Sequence, residues 1–265
     1  MRVVIVGGVA GGMSAATRLR RLLPEAEIVV VERDAHVSYA NCGLPYHVGG
    51  VIAERDDLLL QTPASLRARF DLDVRVRTEA VAIDRDAHQV LVRRLDDGVE
   101  ERLDYDRLVL SPGAGPIVPD LPGIERGMAL RTVPDADRIT ALIADRNPAT
   151  AVVVGGGFIG VEAAENLRHR GIAVSIVELA PQVLAPLDAE MVAPVHAELR
   201  AGGVELALGV GLAKILPESV ELADGRQLPA DLVVLAIGVR PETTLARAAG
   251  LSIGARGGIA GDESM

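Results

Sequence analysis

The pattern of apolar positions along the chain repeats itself. Residues 2–33 open with a continuous β-branched run, Val3–Val6, pass through a glycine turn and a helical pattern, and end in a second apolar run followed by an acid. Residues 150–180 follow the same order, beginning with Val152–Val154. Apolar strands without alternation are typical of parallel sheets that are covered on both faces. Each repeat therefore predicts a βαβ unit.

Each repeat is followed by shorter segments in which apolar and polar positions alternate. Turn residues at 96–98 (DDG) and 223–225 (ADG) interrupt these segments as they do in β-hairpins. A shared string, D-x-x-V-L-x-x-G-x-x-P, then occurs at 106–116 and again at 231–241. The two halves of the chain thus agree in an opening βαβ unit, an antiparallel excursion and a closing strand.

Proline and glycine mark the crossing between the halves. The stretch GAGPIVPDLPG occupies residues 113–123, and we expect the first domain to cover residues 1–118 and the second 119–243. Residues 244–265 contain a short helical pattern and a Gly-Gly turn but no further strand. We expect them to begin a return to the first domain that is cut short, so that the chain is truncated at its C-terminus.

Composition narrows the class of protein. Of the 265 residues, 49% are apolar and 24% are charged, as in a folded globular protein. The formal charge of −10, without any block of basic residues, leads us to expect neither a nucleic-acid nor a membrane partner. No apolar run approaches the roughly 20 residues that span a bilayer. Met1 leads directly into a strand pattern where a leader peptide would otherwise stand, so we expect a cytoplasmic protein.

The second repeat carries a complete G-x-G-x-x-G turn between its first strand and its helix, with Gly155, Gly157 and Gly160 at the glycine positions. Such a turn lets the backbone approach a pyrophosphate, and the helix N-terminus binds the phosphates. Glu178 ends the next strand, where a carboxylate accepts ribose hydroxyls and repels a 2′-phosphate. The pattern predicts binding of NADH, since a preference for NADPH normally requires arginine. The alternative is a tight turn with a purely structural role.

The first turn departs from this pattern. Gly7 and Gly12 occupy its outer positions, but Val9 stands in the middle, where a side chain narrows the approach to a phosphate. The flanking Gly8 and Gly11 restore conformational freedom to the backbone of the turn, and Glu32 ends the following strand. We expect a dinucleotide site here also, the alternative being a degenerate turn kept for packing. The predicted fold class is α/β, with two tandem Rossmann-like dinucleotide-binding domains that each combine a parallel sheet with an antiparallel meander.

Cys42 is the one cysteine of the chain, which excludes an internal disulfide, a C-x-x-C pair and a cysteine-rich zinc site. A helix is expected to start near Gly43, and a thiol at a helix N-terminus is favoured as the reactive thiolate. The alternative is an inert, buried cysteine, although the neighbouring Ser38 and Asn41 are polar. The five histidines show no metal-ligand spacing, so no metal site is predicted.

Four strings together resemble one protein family: VGGVAGGMSAA at 6–16, SYANCGLPY at 38–46, GGGFIGVEAAENL at 155–167 and AIGVRPE at 236–242. They are similar to the FAD-dependent pyridine nucleotide-disulfide oxidoreductases, in the branch with a single redox-active cysteine. Within that branch, the sequence most resembles the coenzyme A-disulfide reductases and the related persulfide reductases and NADH oxidases. The valine in the first glycine turn resembles the branch's own form of the motif.

The resemblance implies that FAD occupies the first domain, that NADH or alternatively NADPH occupies the second, and that Cys42 is the catalytic residue. Glu162 matches a position beside the nicotinamide, although a carboxylate in the first turn of a helix also has a plain electrostatic reason to be there. The implied cofactor-binding residues are Gly7, Gly8, Val9, Ala10, Gly11, Gly12, Glu32, Arg33, Val81, Ser111, Gly113, Gly155, Gly157, Phe158, Ile159, Gly160, Glu162, Glu178 and Gly238.

A second set of residues matches the positions that contact coenzyme A in the reductases. Two of them, Arg18 and Arg21, are three residues apart and share a helix face that could bind a phosphate, or they could simply form a solvated surface. The implied substrate-binding residues are Ser14, Arg18, Arg21, Ser38 and Asn41.

The implied function is flavin-dependent reduction of a low-molecular-weight disulfide, that of coenzyme A, or of a persulfide, by NAD(P)H through Cys42. One alternative is an NADH oxidase or peroxidase that cycles Cys42 through sulfenic acid, but related enzymes use a histidine where this chain has Ala10. Another is a catalytically incomplete nucleotide-binding fragment, because full-length members are homodimers that continue into a dimerisation domain.

Overall fold

The computed structural model describes residues 1–263 and contains both helices and strands. The helices are α1 (Ala10–Leu22), α2 (Leu44–Val48), α3 (Pro63–Phe70), α4 (Val133–Arg146), α5 (Phe158–His169), α6 (Ala189–Ala201) and α7 (Thr244–Ala248). The strands are β1 (Arg2–Val6), β2 (Glu27–Val31), β3 (Asp73–Arg75), β4 (Thr78–Asp84), β5 (Gln89–Arg94), β6 (Glu100–Asp104), β7 (Arg107–Leu110), β8 (Ala114–Pro116), β9 (Gly127–Ala129), β10 (Thr150–Val154), β11 (Ala173–Glu178), β12 (Val204–Leu208), β13 (Leu212–Ile215), β14 (Ser219–Leu222), β15 (Gln227–Pro229), β16 (Leu232–Leu235) and β17 (Val239–Pro241).

The first unit is built on a parallel sheet with strand order β3-β2-β1-β7. Its central strands, β1 and β2, are almost wholly buried because β-branched side chains cover both faces. One face packs against α1 through Met13 and Ala16. The other packs against the antiparallel sheet β4-β5-β6, where Val90, Val92 and Leu103 are buried.

The second unit repeats this plan. Its parallel sheet has the order β12-β11-β10-β16-β9, and an antiparallel sheet, β13-β14-β15, contributes Val220 and Leu222 to the core on one face. The predicted hairpins at 96–98 and 223–225 connect β5 to β6 and β14 to β15. The predicted fold class, a parallel sheet with an antiparallel meander in each half, is therefore confirmed.

The two compact units are not continuous in sequence. One comprises residues 1–40 and 59–115 together with the chain from 240 onward, and the other comprises 41–58 and 116–239. The C-terminal return to the first unit matches the expectation for residues 244–265, whereas the expected first domain ran without interruption from residue 1 to 118. The difference lies in residues 41–58, named here the cysteine segment, which packs within the second unit. None of the described helices is both long enough and apolar enough to cross a membrane.

Specific polar contacts attach the cysteine segment to helices of the second unit. Arg55 donates to both carboxylate oxygens of Asp137 on α4, at 2.7 and 2.8 Å. Arg170, which follows α5, donates from Nε to the carbonyl oxygen of Val48 at 2.7 Å. A bidentate arginine–carboxylate pair fixes orientation as well as distance, so the segment is held at two separate points.

We predict that Arg55→Met loosens the cysteine segment. Both side chains of the Arg55–Asp137 pair are a little over one-third exposed, at 37% and 36%, so the free energy of unfolding should fall by only about 1 kcal/mol. Limited thermolysin cleavage within residues 41–58 should become faster, as mapped by mass spectrometry. Arg94→Met is the matched control, because Arg94 pairs with Asp97 inside a local turn. Equal cleavage of the segment in both variants would contradict the assigned role of Arg55.

Candidate functional site

The chain turns sharply between β1 and α1. Gly7 has a φ of +102°, and a Cβ on it would lie 2.0 Å from the carbonyl oxygen of Ser111. A Cβ on Gly12 would lie 1.7 Å from the carbonyl oxygen of Gly7. Both positions therefore require glycine, because the atoms in the way belong to the backbone. Val9 is half-buried just before α1, and the turn accommodates its side chain.

The turn between β10 and α5 has the same geometry. Gly155 has a φ of +108°, and a Cβ on Gly160 would lie 1.9 Å from the carbonyl oxygen of Gly155. A Cβ on Gly157, in contrast, would meet no atom within 4 Å. Packing does not explain a glycine at this position. The open space beside Gly157 is what a pyrophosphate needs to approach the backbone, so this turn fits a dinucleotide.

A carboxylate at the end of the second strand of each repeat accepts hydrogen bonds from two backbone amides. Glu32 accepts from Gly8 at 2.7 Å and from Asp34 at 2.8 Å. Glu178 accepts from Gly156 at 2.6 Å and from Ala180 at 2.7 Å. Each carboxylate oxygen has a further lone pair, so both residues can also accept hydroxyl groups of a ribose.

Glu32 is the more buried of the two carboxylates, with 8% of its surface exposed. Burial raises the pKa of Glu32 above its ordinary value, while the amides of Asp34 and Gly8 act in the opposite direction. Hydroxyl donors supplied by a ligand would stabilise the same ionised form. The buried carboxylate therefore fits a site whose ligand brings its own hydrogen-bond donors.

A cavity of about 360 Å³ in the first unit contains Gly7, Glu32, Arg33 and Val81 of the predicted cofactor set. The lining also includes residues that the sequence analysis missed, from β4 and from the chain around α7: Thr78, Glu79, Ala80, Glu242, Thr244 and Leu245. Glu242 is the last residue of the AIGVRPE string, and this string was the signal in the sequence that could have identified Glu242 as a site residue. Hydrogen bonds from Thr244 lower the pKa of Glu242.

Three further residues of the predicted cofactor set lie in the first unit, at or after the ends of β1 and β7. Ser111 directly follows β7, and its Oγ would be 2.4 Å from a Cβ on Gly11. Gly113 has a φ of +73°, and its carbonyl oxygen accepts from the amide of Glu242. Ala10, the first residue of α1, is exposed at the turn.

A second cavity, of about 570 Å³, lies in the second unit and is mostly apolar. It contains Gly155, Gly157, Glu178 and Gly238 of the predicted set, and Glu178 is the one charged residue in its lining. Among residues 1–263, no arginine lines this cavity to bind a 2′-phosphate. Its lining also includes apolar residues that the sequence analysis did not identify: Pro119, Leu121, Leu179, Ala185, Pro186, Val210 and Leu212.

Helix α5 corrects one expectation about Glu162. The helix begins at Phe158, so Glu162 is its fifth residue and lies in the second turn, with no acidic residue in the first. The simple electrostatic explanation, a carboxylate in the first turn, is therefore wrong. Phe158 and Ile159 are exposed at the start of the helix, 59% and 41% respectively, and neither lines the cavity described above.

Cys42 is exposed, which rules out the alternative of an inert cysteine in the core. It lies in a 3₁₀ turn, Asn41–Gly43, directly before α2. The helix does start after Gly43 as expected, but it has only five residues. Cys42 belongs to the cysteine segment and therefore to the second unit.

The predicted substrate residues fall into three groups. Ser14 and Ser38 line one cavity of about 360 Å³ in the first unit, together with Tyr39, Gln61 and Arg69, which the sequence analysis missed. Arg18 and Arg21 are exposed on α1 and do not line that cavity. Asn41 belongs to the second unit. Among the described residues, no cluster of histidine, cysteine and acidic side chains could bind a metal ion.

Comparison with known proteins agrees with this geometry. The family model for pyridine nucleotide-disulphide oxidoreductases matches residues 1–265. An NADH oxidase of Methanocaldococcus jannaschii is 36% identical over 261 residues, which is 96% of this chain. A coenzyme A disulfide reductase of Staphylococcus haemolyticus is 30% identical over 258 residues, which is 97% of this chain.

The crystal structure of reduced Bacillus anthracis CoADR-RHD superposes with a TM-score of 0.94 at 49% identity, covering 97% of this chain and 47% of that one. The chain spans 58% of the length of each of the two curated relatives. The similarity therefore covers nearly all of this chain but only about half of each relative, from 47% to 58% of its length.

We predict that two alanine substitutions in the second turn separate folding from ligand binding. Gly160→Ala should lower the free energy of unfolding by about 2 kcal/mol or more, because the added methyl group overlaps a carbonyl oxygen. Gly157→Ala should change it by no more than about 1 kcal/mol, yet weaken NADH binding. Chemical denaturation and fluorescence titration with NADH measure the two effects. Unchanged NADH affinity in a folded Gly157→Ala variant would show that no phosphate lies beside this turn.

Proposed function

Because the chain belongs to the pyridine nucleotide-disulphide oxidoreductase family, we propose that it reduces a low-molecular-weight disulfide with electrons from NADH, through Cys42. The oxidoreductase class follows from the family. The substrate and the role of each residue are our proposal. The observation that carries it is the exposure of Cys42, the one cysteine of the chain, within the string SYANCGLPY.

The absence of a second cysteine determines the sulfur chemistry. An internal disulfide cannot form, so the sulfur that pairs with Cys42 must come from the substrate. The Cys42 thiolate attacks one sulfur of the substrate disulfide, the substrate S–S bond breaks, and one thiolate leaves and takes up a proton. The product is a mixed disulfide on Cys42. Two electrons then release the second substrate thiolate and regenerate the Cys42 thiolate.

The two glycine turns support the assignment of the cofactors. When bound, FAD and NADH supply the electron pair as a hydride that passes from nicotinamide to flavin. We assign FAD to the first turn and its 360 Å³ cavity, with Glu32 accepting the ribose hydroxyls. We assign NADH to the second turn and its 570 Å³ cavity, with Glu178 in the corresponding role. The backbone amides at each helix start would bind the phosphates of the cofactor.

Coenzyme A disulfide is the substrate that we propose. A relative named coenzyme A disulfide reductase is 30% identical over nearly the whole chain. Ser14, Ser38 and Arg69 line one cavity, and the exposed Arg18 and Arg21 offer two further cations. Coenzyme A carries phosphates that arginine binds through charge-assisted hydrogen bonds.

NADH oxidation through a cysteine sulfenic acid is the second candidate function. The relative that is 36% identical is named NADH oxidase, which favours this alternative. Against it stands Ala10 at the start of α1, since the histidine that related oxidases use is missing from this turn. The two candidates differ in what Cys42 forms with its oxidant: a mixed disulfide in one case and a sulfenic acid in the other.

We predict that the chain forms a single coenzyme A adduct on Cys42. Intact-mass spectrometry after incubation with coenzyme A disulfide should show one adduct that a reducing agent removes. The double variant Arg18→Gln, Arg21→Gln should form it about ten-fold more slowly, because charge-assisted hydrogen bonds to phosphate are lost. The same variant should react normally with bis(2-hydroxyethyl) disulfide, which carries no phosphate.

Arg67→Gln on α3 is the matched control, since Arg67 is exposed and lies outside the cavity lined by Ser14 and Ser38. Equal slowing by Arg67→Gln would show that general charge, and not a phosphate site, governs the rate. An adduct that forms equally fast with both disulfides in the unaltered chain would argue against coenzyme A as the substrate.

We also predict that Glu178 determines the choice of nicotinamide nucleotide. NADH should bind more tightly than NADPH, because the carboxylate repels a 2′-phosphate and no arginine lines the cavity. Glu178→Gln should weaken NADH binding and reduce the discrimination between the two nucleotides. Fluorescence titration of both nucleotides with both proteins measures this. Equal affinity of the unaltered chain for NADH and NADPH would refute the role of Glu178.

A further inference from the structure

His196 on α6 accepts a hydrogen bond from the backbone. The amide nitrogen of Val183 donates to its Nε2 at 3.2 Å. A backbone amide can only donate, so Nε2 must be unprotonated and the ring neutral, with its hydrogen on Nδ1. A protonated ring would place one N–H group against another and lose this bond.

Val183 is packed directly against the second glycine turn. It is fully buried, and its Cγ1 would lie 2.9 Å from a Cβ on Gly156. The next residue, Leu184, donates from its amide to the carbonyl oxygen of Gly156 at 2.7 Å. Leu184 adopts a φ of +49°, a conformation that branched-chain residues rarely take without support from their surroundings.

Residues 182–187 are named here the cavity loop. A hydrogen bond joins the two ends of this loop, and two of its residues line the nucleotide cavity of the second unit. Gln182 donates from Nε2 to the carbonyl oxygen of Leu187 at 2.8 Å. Ala185 and Pro186 line the 570 Å³ cavity. The hydrogen bond from Val183 to His196 ties this loop to α6, and the hydrogen bond from Leu184 to Gly156 ties it to the glycine turn.

The charged groups around His196 do not favour its protonated form. Arg200 lies one turn further along α6, and both burial and its positive charge lower the pKa of His196. The cavity loop has no ionisable side chain. Strand β12, on which α6 packs, has one ionisable residue, Glu205, and its carboxylate accepts a hydrogen bond from Ser175.

We propose that neutral His196 is a positioning residue for the nucleotide cavity of the second unit: it holds the cavity loop against Gly156, and its protonation releases the loop and weakens nucleotide binding. This inference rests on the proposed function of that cavity. It adds a residue outside the cavity lining that acts through the backbone of Val183.

The direction of the pH effect follows from linkage. Because the pKa of His196 is lowered in the folded chain, the unfolded or released state takes up the proton first. The stabilising contact is therefore complete above the ordinary histidine pKa of about 6.5 and is lost as the pH falls through the lowered value. Nucleotide binding should weaken in the same direction.

The test uses ADP-ribose, which carries the adenosine diphosphate part of the nucleotide and has no redox chemistry. Isothermal titration calorimetry between about pH 5 and pH 8 should show binding to the unaltered chain that weakens about five-fold on acidification, the loss of roughly one hydrogen bond. Binding heat that is measured with the unaltered chain but is absent with Gly157→Ala is assigned to the site in the second unit. Circular dichroism at each pH confirms that the chain remains folded.

Substitutions separate the titration of His196 from its packing. His196→Gln offers an oxygen acceptor at a similar reach that does not titrate, so affinity should stay high and lose its pH dependence. His196→Leu offers no acceptor, so affinity should be about five-fold lower at every pH. Arg200→Gln should move the midpoint to higher pH, because a repelling charge is removed. His169→Gln, at the exposed end of α5, is the matched control and should retain the profile of the unaltered chain.

The failure of this inference differs from the failure of the proposed function. A pH-dependent affinity that persists in His196→Gln, or an unaltered chain whose affinity does not change with pH, overturns the role of His196 while nucleotide binding stands. Absence of ADP-ribose binding at every pH overturns both. Should His196→Leu not fold, the unaltered chain and His196→Gln still decide the question.

Discussion

A buried or half-buried carboxylate that accepts two backbone amides is the interaction on which both halves of this protein depend. In each repeat the glutamate at the end of the second strand binds the amide of the glycine turn and an amide two residues further along its own chain. These contacts join the carboxyl ends of the first and second strands of each repeat, next to the start of the helix. They also leave lone pairs that face a cavity. The same residue thus shapes the turn and presents an acceptor to a ligand.

The parts of the structure that could be predicted from the sequence are those in which local sterics allow few residue types. The glycines at the outer turn positions are required by backbone atoms less than 2.5 Å from any added Cβ, and such a steric requirement is visible as a motif. The continuous β-branched runs likewise favour one structure, a central strand of a parallel sheet that is covered on both faces. The two turns, the two acids and the hairpins were all identified in this way.

The features that were missed depend on contacts between residues that are distant in sequence. The cysteine segment packs within the second unit because Arg55 pairs with Asp137, 82 positions away, and Arg170 binds Val48, 122 positions away. Neither pair belongs to a motif. Glu162 was placed in the wrong helical turn because α5 starts at Phe158, a boundary that a glycine motif does not mark. The part of the first cavity formed by Glu242 and Thr244 comes from a chain segment that returns to the first unit after the second is complete.

The proposed chemistry follows from the presence of two cavities, each assigned to a dinucleotide, beside a single cysteine. Two cavities with matching carboxylates suit the transfer of electrons between two dinucleotides, and a chain with a single cysteine has no internal disulfide to accept those electrons. Under the proposed function, the electrons therefore leave on a sulfur or oxygen species that the chain does not itself contain. We propose that the exposed Arg18 and Arg21 select coenzyme A among such species by binding its phosphates.

The most direct measurement starts from the chain loaded with FAD and carrying coenzyme A as a mixed disulfide on Cys42. Under anaerobic conditions, NADH is added in increments while free coenzyme A is quantified by chromatography. We expect one coenzyme A to be released for each NADH oxidised, and none to be released when FAD is omitted. Oxidation of NADH with the mixed disulfide left intact would contradict the claim that Cys42 passes these electrons to an external thiol.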